Sequence, residues 1–155
     1  MMPRREHHLS LYYEDFTTGV EHVTRGRTVT ESDVVNFAGL SGDFIELHTN
    51  DEYARESPFG RRIAHGLLTL SISSGLMAQM NLITDTVLAF YGIDKLRFVK
   101  PVFIGDTIHV RKTVIDAMAK GSEMGVVTFD TTVLNQKGET VLVFRDKLAI
   151  KKRPA

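Results

Sequence analysis

The sequence contains no cysteine. This absence excludes disulfide bridges, cysteine nucleophiles and thiolate metal sites, and it fits a reducing compartment. Zinc-ligand spacing, a phosphate-binding glycine loop and a nucleophilic serine elbow are also missing. We therefore expect a cytoplasmic protein whose chemistry uses neither a metal nor a thiol.

The sequence also lacks net charge and long apolar runs. Lysine plus arginine number 19, as do aspartate plus glutamate, so no overall field draws the chain to nucleic acid or an anionic membrane. No stretch approaches the ~18 consecutive apolar residues of a membrane-spanning helix, and the start, MMPRREHHLSLYYEDF, has no apolar signal-peptide region. We expect a soluble protein without nucleic-acid or membrane partners.

What the chain does contain is typical of a globular protein. It has 155 residues, of which 43% are hydrophobic and 25% charged, and it shows no repeat or linker. That length suits one domain, which buries roughly 70% of the surface that the unfolded chain exposes. We predict a single domain over residues 1–155, with a polar, mobile or edge-lying terminus at 1–19.

The first third of the chain predicts a strand and short helices. Residues 20–29 favour a strand, and Thr30-Glu-Ser-Asp is a capping pattern that begins a short helix ending at Gly39. Residues 42–50 are predicted to be irregular, and a second short helix is predicted over 51–55.

The longest helix is predicted over residues 66–81. Its large apolar side chains point in nearly every direction and are separated by small residues, so we expect it to be buried on all sides. The rest of the chain is predicted to form strands over 87–98, 107–118, 127–133 and 141–151. The evidence is the alternation of apolar residues and a hairpin turn signal at 135–138.

These elements predict an α+β hotdog fold, in which a long antiparallel β-sheet wraps around a central buried α-helix. A ten-residue strand spans about 33 Å, which is enough to cover a 16-residue helix about 24 Å long. One sheet and one helix leave an edge and a face open, so we expect a homodimer or a larger homo-oligomer.

The segment between Gly42 and Gly66 contains the residues that can carry chemistry. Asp43 and His48 stand five residues apart, and the turn Ser-Pro-Phe-Gly at 57–60 can bring them to the start of the long helix. The first N–H groups of that helix are unpaired and lie at the positive end of its dipole. Two interpretations stay open: a water-activating pair beside an oxyanion hole, or an Asx turn with a structural histidine.

A held water, an acid–base pair and an oxyanion hole are the parts needed to hydrate an α,β-unsaturated thioester. The base removes a proton as water adds to C3, the helix N-terminus holds the enolate oxygen, and an acid returns a proton to C2. Acid–base catalysis contributes about 10²–10⁴-fold and one oxyanion donor roughly 3 kcal/mol, so an enzyme needs both in one cleft.

The run SGDFIELHTNDEYARESPFGRRIAHGLLTLSISSGLM resembles the motif of the MaoC-like dehydratases, the R-specific enoyl-CoA hydratase group of hotdog proteins. Their pattern is Gly-Asp-x-Asn-Pro-(Ile/Leu)-His, then an acidic residue and alanine, then Phe-Gly-x-x-Ile-Ala-His-Gly. Weaker similarity extends over most of the chain. The motif matches at Gly42-Asp43, Leu47-His48, Ala54, Phe59-Gly60 and Ile63-Ala64-His65-Gly66.

The resemblance implies that Asp43 and His48 bind and activate the water, and that the Gly66 amide polarises the thioester carbonyl. It also implies an acyl substrate carried by CoA or an acyl carrier, with no metal or other cofactor. The chain departs from the pattern at Ile45-Glu46, where the family has Asn-Pro. Because Ile45 cannot make the hydrogen bonds of asparagine, we expect a more apolar pocket floor and a site that is either retuned or weakened.

Several neighbours of these residues are predicted to bind substrate, and some have a second interpretation. Arg61 and Arg62 either face the CoA phosphates or are solvated charges, and His65 is either a contact or a helix cap. A metal pair of His48 and His65 would lack a third clustered ligand. The residues assigned to substrate binding are Ile45, Phe59, Gly60, Arg61, Arg62, Ala64, His65 and Leu67.

Two features further along the chain are also ambiguous. One is a set of apolar residues after the middle of the long helix that either line an acyl tunnel or fill the core, namely Met77, Met80, Leu82 and Ile83. The other is Asp146, which interrupts an apolar strand face and suggests a bulge or a local edge.

Three functional hypotheses follow from the sequence. The first is a lyase that hydrates a trans-2-enoyl thioester to a 3-hydroxyacyl thioester. The second is a hotdog acyl-CoA thioesterase that directs the same water at the carbonyl carbon. The third is a non-catalytic subunit that binds acyl thioesters, which the Ile45-Glu46 departure makes plausible.

Overall fold

A computed structural model describes residues 10–154 of the chain. The terminal residues 1–9 and 155 lie outside it, so the prediction for residues 1–19 is tested only from Ser10 onwards. The helices are α1 (Glu31–Ser41), α2 (Glu46–Thr49), α3 (Asp51–Glu56) and α4 (Gly66–Ala78), with a 3₁₀ turn at Tyr13–Asp15. The strands are β1 (Glu21–Val23), β2 (Arg27–Thr28), β3 (Val87–Phe98), β4 (Thr107–Lys120), β5 (Met124–Leu134) and β6 (Thr140–Lys151).

The strands form one antiparallel sheet in the order β1-β4-β5-β6-β3, with β2 also paired to β4. The four long strands confirm the predicted strands, and β4 shows the alternation most clearly, since buried residues recur at every second position along much of it. The turn between β5 and β6 is held by Asn135, whose side-chain oxygen accepts hydrogen bonds from the N–H groups of Lys137 and Glu139. The sheet and helices together confirm the α+β class.

Helix α4 packs one side against this sheet. Leu68, Ile72 and Leu76 recur every four residues, lie on the same helix face, and are at most 9% exposed. Their partners in the core are strand residues from three neighbours in the sheet: Ile108 and Val110 of β4, Val133 of β5, and Val141, Leu142 and Phe144 of β6.

The prediction that α4 is buried on all sides is wrong for the described chain. The helix ends at Ala78 rather than residue 81, and the side away from the sheet is exposed at Leu67, Ser71, Ser74, Gly75 and Ala78. Small side chains make this face shallow, so another backbone can approach it closely.

The predicted first strand is divided in two. Thr24 accepts a hydrogen bond from the Val110 N–H through its hydroxyl and donates its own N–H to the Val110 carbonyl, both at 2.9 Å. A side-chain oxygen thus replaces a main-chain acceptor, and the ladder is interrupted between β1 and β2. Before it, the segment from Ser10 is packed onto the sheet, because Phe16 is only 8% exposed.

Helix α1 has the predicted start but a different end. Thr30 and Asp33 exchange side-chain and main-chain hydrogen bonds in a capping box. Gly39 stays inside the helix, and Gly42 ends it in the left-handed conformation (φ 79°), with its N–H donated to the Ala38 carbonyl. The prediction at Gly39 was wrong because the helix continues to the next glycine, which is the one with positive φ.

Strand β3 is an open edge. It pairs with β6 on one side only, and its outer side has no partner within residues 10–154. Large side chains along it are about half exposed, including Leu88, Phe90, Tyr91 and Phe98. In the part of the chain that the structure describes, no helix combines the length and apolar character needed to cross a membrane.

Candidate active site

Asp43 is positioned by the left-handed end of α1. Immediately after Gly42, its N–H donates to the Ser41 hydroxyl, and its Oδ1 accepts the Ile45 N–H at 3.3 Å. This is an Asx turn, as one interpretation of the sequence expected. The turn uses Oδ1, and no hydrogen bond to Oδ2 is found within residues 10–154, so half of the carboxylate stays available to the cleft.

His48 lies in α2, a short helix within the region predicted to be irregular. It is 8% exposed, and its Nδ1 lies 2.8 Å from the Ile63 carbonyl oxygen. Because a carbonyl oxygen can only accept, Nδ1 carries a proton, and in the neutral imidazole the lone pair is therefore on Nε2. The hydrogen bond therefore fixes the tautomer that a general base needs.

His65 connects the two segments of the motif. It is the residue before α4, is 2% exposed, and donates Nε2–H to the main-chain carbonyl of Asp43 at 3.0 Å. Its ring stacks on that of His48 with centroids 3.9 Å apart. Sequence reasoning missed this role, since the bond joins two backbone regions 22 residues apart and leaves no local pattern.

Asp43, His48 and His65 form one cluster. A ligand atom from each lies within 4.8 Å of the other two. The structure therefore supplies the third clustered ligand that the sequence did not show. The two imidazoles are stacked with an interplanar angle of only 30°, however, so their in-plane lone pairs lie in two nearly parallel planes instead of converging on one ion. This geometry suits a water held against the side chains better than a shared metal.

Gly66 provides the amide at the start of α4. Its N–H has no acceptor within the described chain, and it lies at the positive end of the helix. A Cβ at this position would lie 2.8 Å from the ring of Phe98, so only glycine permits the observed contact. Sequence reasoning missed Phe98 as a site residue, because the contact joins β3 to the start of a helix that lies 32 residues earlier in the chain.

The cluster opens into a cleft of about 460 Å³. Of the predicted substrate-binding residues, Phe59, Ala64, His65 and Leu67 line it, beside the catalytic candidates Asp43, His48 and Gly66. The opposite wall comes from the end of β3 and the segment after it, residues 98–102. The turn at 57–60 thus brings the two segments together as the sequence predicted.

Ile45, Gly60 and Arg61 do not line this cleft. The Ile45 side chain is 62% exposed, which corrects the expectation that it makes the pocket floor more apolar. Gly60 forms the turn with φ 72°, and the Arg61 guanidinium lies 4.0 Å from the centroid of the Phe103 ring. The family asparagine is thus replaced at an exposed position that is not part of the cleft lining in this chain.

Arg62 has a structural role that corrects its predicted contact with CoA phosphates. Its guanidinium makes two hydrogen bonds to Glu31, at 2.8 and 2.7 Å, and one to Asp51 at 2.6 Å. Hydrogen bonds to Glu31, and then to Asp51, raise its pKa above the usual value. Its charge is therefore used in tying α1 to α3.

A model of the MaoC-like domain matches residues 16–137. The chain belongs to the MaoC-like domain family. This confirms the resemblance drawn from the motif, and the match covers most of the sheet as well as the segment that contains the site.

Relatives of this MaoC-like domain include named enzymes. An (R)-specific enoyl-CoA hydratase of Rhodospirillum rubrum is 36% identical over 121 residues, which cover 78% of this chain and 79% of that protein. The protein MaoC of Klebsiella aerogenes is 43% identical over 109 residues, 70% of this chain. The match spans only 32% of MaoC, so that protein contains much that this chain does not share.

Solved structures confirm the fold. A protein from Archaeoglobus described as a monoamine oxidase regulatory protein matches with a TM-score of 0.88 and 41% identity, covering 94% of this chain and 97% of its own. A Mycobacterium tuberculosis protein with a double hotdog fold matches with a TM-score of 0.80 at 21% identity, covering 94% of this chain and 45% of that one. The hotdog fold predicted from the sequence is thus confirmed.

Proposed function

We propose that this MaoC-like domain catalyses the reversible hydration of a trans-2-enoyl thioester to a 3-hydroxyacyl thioester in the cytoplasm. The observation that carries the proposal is the convergence of three groups on one cleft: the Asp43 carboxylate, the His48 Nε2 lone pair and the Gly66 N–H. The reaction requires no metal or cofactor beyond the CoA or acyl-carrier group of the substrate.

The geometry assigns a role to each of the three groups. The pair of Asp43 and His48 holds a water and removes its proton as the water oxygen bonds to C3 of the substrate. The C2–C3 π electrons move towards the thioester carbonyl, and the Gly66 N–H stabilises the resulting enolate oxygen. The enolate then collapses, and the protonated member of the pair returns a proton to C2.

The names of relatives support this reaction. Besides the R. rubrum hydratase, a 3-hydroxybutyryl-CoA dehydratase of Methylorubrum extorquens is 35% identical over 106 residues, covering 68% of this chain and 65% of that protein. Hydration and dehydration are the two directions of one equilibrium, so a single site serves both. The hydrogen bond from His48 Nδ1 to the Ile63 carbonyl adds independent support, because it leaves Nε2 of the neutral ring able to act as the base.

Turnover of crotonyl-CoA, a short enoyl thioester, tests the proposal. We expect the enoyl absorbance to fall without release of free thiol, because water adds to C3 and the thioester stays intact. Free thiol released from saturated acyl-CoA would identify a thioesterase instead. Binding of enoyl-CoA thioesters without turnover, across a panel of chain lengths, would identify a non-catalytic binding subunit, and either result would reject the hydratase.

The proposed enzyme works as a homodimer joined along β3. The outer side of β3 carries half-exposed apolar side chains, and the adjacent face of α4 is small and exposed, so a second copy can cover both. The double hotdog protein, of which this chain covers 45%, supports a pair of such units. Light scattering is expected to give twice the chain mass of 17.4 kDa, and a single-chain mass would contradict the dimer.

A further inference from the structure

A second cavity, called here the distal chamber, lies at the opposite end of α4 from the cleft. It also measures about 460 Å³. Met77 of α4 and Met80, Leu82 and Ile83 from the segment after it lie in its wall, with Phe90 and Phe129 from the sheet. The sequence allowed either an acyl tunnel or a core position for Met77, Met80, Leu82 and Ile83. All four line this cavity.

The floor of the distal chamber is polar. Lys112 Nζ donates to Asp146 Oδ2 at 2.5 Å, and the Thr131 hydroxyl donates to Asp146 Oδ1 at 2.7 Å. Lys112 is 5% exposed and Asp146 is fully buried. The expectation of a bulge or edge at Asp146 is therefore wrong, because it lies in β6 between two paired strands and forms a buried ion pair.

The Lys112 ammonium has one strong hydrogen-bond acceptor among the described residues and otherwise only weak partners. An ammonium group has three N–H donors. One binds Asp146, while the other nearby groups are the Met77 sulfur at 3.6 Å and the face of the Phe129 ring at 4.0 Å, both weak partners. An oxygen atom that enters the chamber would be a stronger acceptor than either. His22 also lines the cavity, and burial, followed by the charge of Lys112, lowers its pKa and favours its neutral form.

The charges on the floor of the distal chamber determine which kind of ligand oxygen Lys112 can bind. Lys112 and Asp146 neutralise each other, and both Asp146 oxygens already accept hydrogen bonds. A ligand carboxylate would therefore leave a net negative charge within largely apolar walls, which is costly. A hydroxyl or carbonyl oxygen can accept from Lys112 without adding charge, so the chamber suits an apolar chain that carries an uncharged oxygen.

The proposed dimer brings this chamber to the active site. Within one chain, the cleft lies at the Phe98 end of β3 and the chamber at the Val87 and Phe90 end. Two copies of an edge strand related by a two-fold axis perpendicular to the sheet pair antiparallel, so the Phe98 end of one meets the Val87 end of the other. The cleft of each copy then faces the distal chamber of its neighbour.

We propose that the distal chamber receives the far end of the acyl chain bound in the neighbouring copy, and that Lys112 donates a hydrogen bond to an uncharged oxygen on that end. The substrate class is thus a medium-length acyl thioester with a hydroxyl or carbonyl group distant from the thioester. This inference rests on the proposed function for the placement of the thioester and of the second copy.

Calorimetric binding of three saturated CoA thioesters tests the proposal, namely decanoyl-CoA, 10-hydroxydecanoyl-CoA and decanedioyl-CoA. Wild-type protein is expected to bind the hydroxyl form most tightly and the carboxylate form at least about tenfold more weakly. In the double variant Lys112→Met/Asp146→Leu, the preference for hydroxyl over methyl is expected to fall about tenfold. Tightest binding of the carboxylate form, or an unchanged preference in the variant, would overturn the proposal.

Two further variants make the test specific. Arg145→Met/Asp130→Leu removes an exposed ion pair between β6 and β5, at the residues that precede Asp146 and Thr131 and so point to the other face of the sheet, and it is expected to keep the wild-type preference. If Lys112→Met/Asp146→Leu does not fold, Met77→Phe narrows the chamber while it keeps both charged groups of the ion pair, and it removes only the weak sulfur contact of Lys112. It should weaken decanoyl-CoA binding about tenfold more than butanoyl-CoA binding, and equal weakening would overturn the proposal.

Saturated thioesters cannot be hydrated, so a failure of the hydratase proposal would appear separately, in the crotonyl-CoA assay.

Discussion

Replacing Asp43 with asparagine is expected to lower kcat for crotonyl-CoA hydration by at least ~10²-fold. The amide cannot take up the proton of the attacking water, while its oxygen can still accept the Ile45 N–H and preserve the turn. The His65 hydrogen bond goes to the main-chain carbonyl of residue 43 and does not depend on the side chain. The variant therefore removes proton transfer and retains the local structure.

A matched control is available three residues away. Glu46 is an exposed carboxylate in α2 that does not line the cleft, and Glu46→Gln makes the same chemical change. Its kcat is expected to stay within about threefold of wild type. Circular dichroism and thermal unfolding would establish that both variants are folded. Full activity of Asp43→Asn would remove Asp43 from the mechanism and leave His48 as the sole base.

Replacing Lys112 with methionine is expected to lower the free energy of unfolding by about 3–5 kcal/mol. The substitution keeps most of the side-chain volume but leaves Asp146 buried in β6 with Thr131 as its remaining hydrogen-bond donor. A carboxylate in that environment must either stay charged at a high desolvation cost or take up a proton. Urea unfolding monitored by circular dichroism measures the loss.

The double variant Lys112→Met/Asp146→Leu distinguishes the effect of losing the whole ion pair from the effect of leaving Asp146 without its partner. Removing both charges leaves no buried ion, so its stability is expected to lie within about 1 kcal/mol of wild type or above it. Recovery in the double variant would show that the loss in Lys112→Met comes from the unpaired carboxylate. A Lys112→Met protein as stable as wild type would instead mean that Asp146 is readily protonated or hydrated.

The fold could be predicted from the sequence largely because its longest elements follow local rules. Buried and less buried residues alternate along much of β4 and part of β6, and the capping box of α1 consists of four consecutive residues. The ends of elements were harder, since Gly39 and Gly42 are equal candidates locally and only the observed φ of Gly42 distinguishes them. The exposed face of α4 was not predicted. A helix face of apolar and small residues has the same sequence pattern whether it is covered by its own chain or by a second copy.

The candidate site was predictable where chemistry and motif coincide, at Asp43, His48 and Gly66. It was not predictable where a role depends on contacts between distant segments. Arg62 has the charge expected of a phosphate ligand, and only the folded chain shows that Glu31 and Asp51 already use it. Asp146 looked like an interruption for the same reason, because its partner Lys112 is 34 residues away on a strand that is not its neighbour.

The hydrogen bond from His65 to the main chain of residue 43 has a consequence for redesign. The main chain at residue 43 is held by the imidazole of His65, which belongs to another segment. The side chain at 43 takes no part in that hydrogen bond. Residue 43 can therefore be exchanged for other proton carriers, and the exposed position 45 varied with it, without loss of the His65 contact; only the Asx turn formed by Oδ1 depends on the side chain at 43. Combinatorial libraries at these two positions would sample new reactivities without first having to restore the architecture.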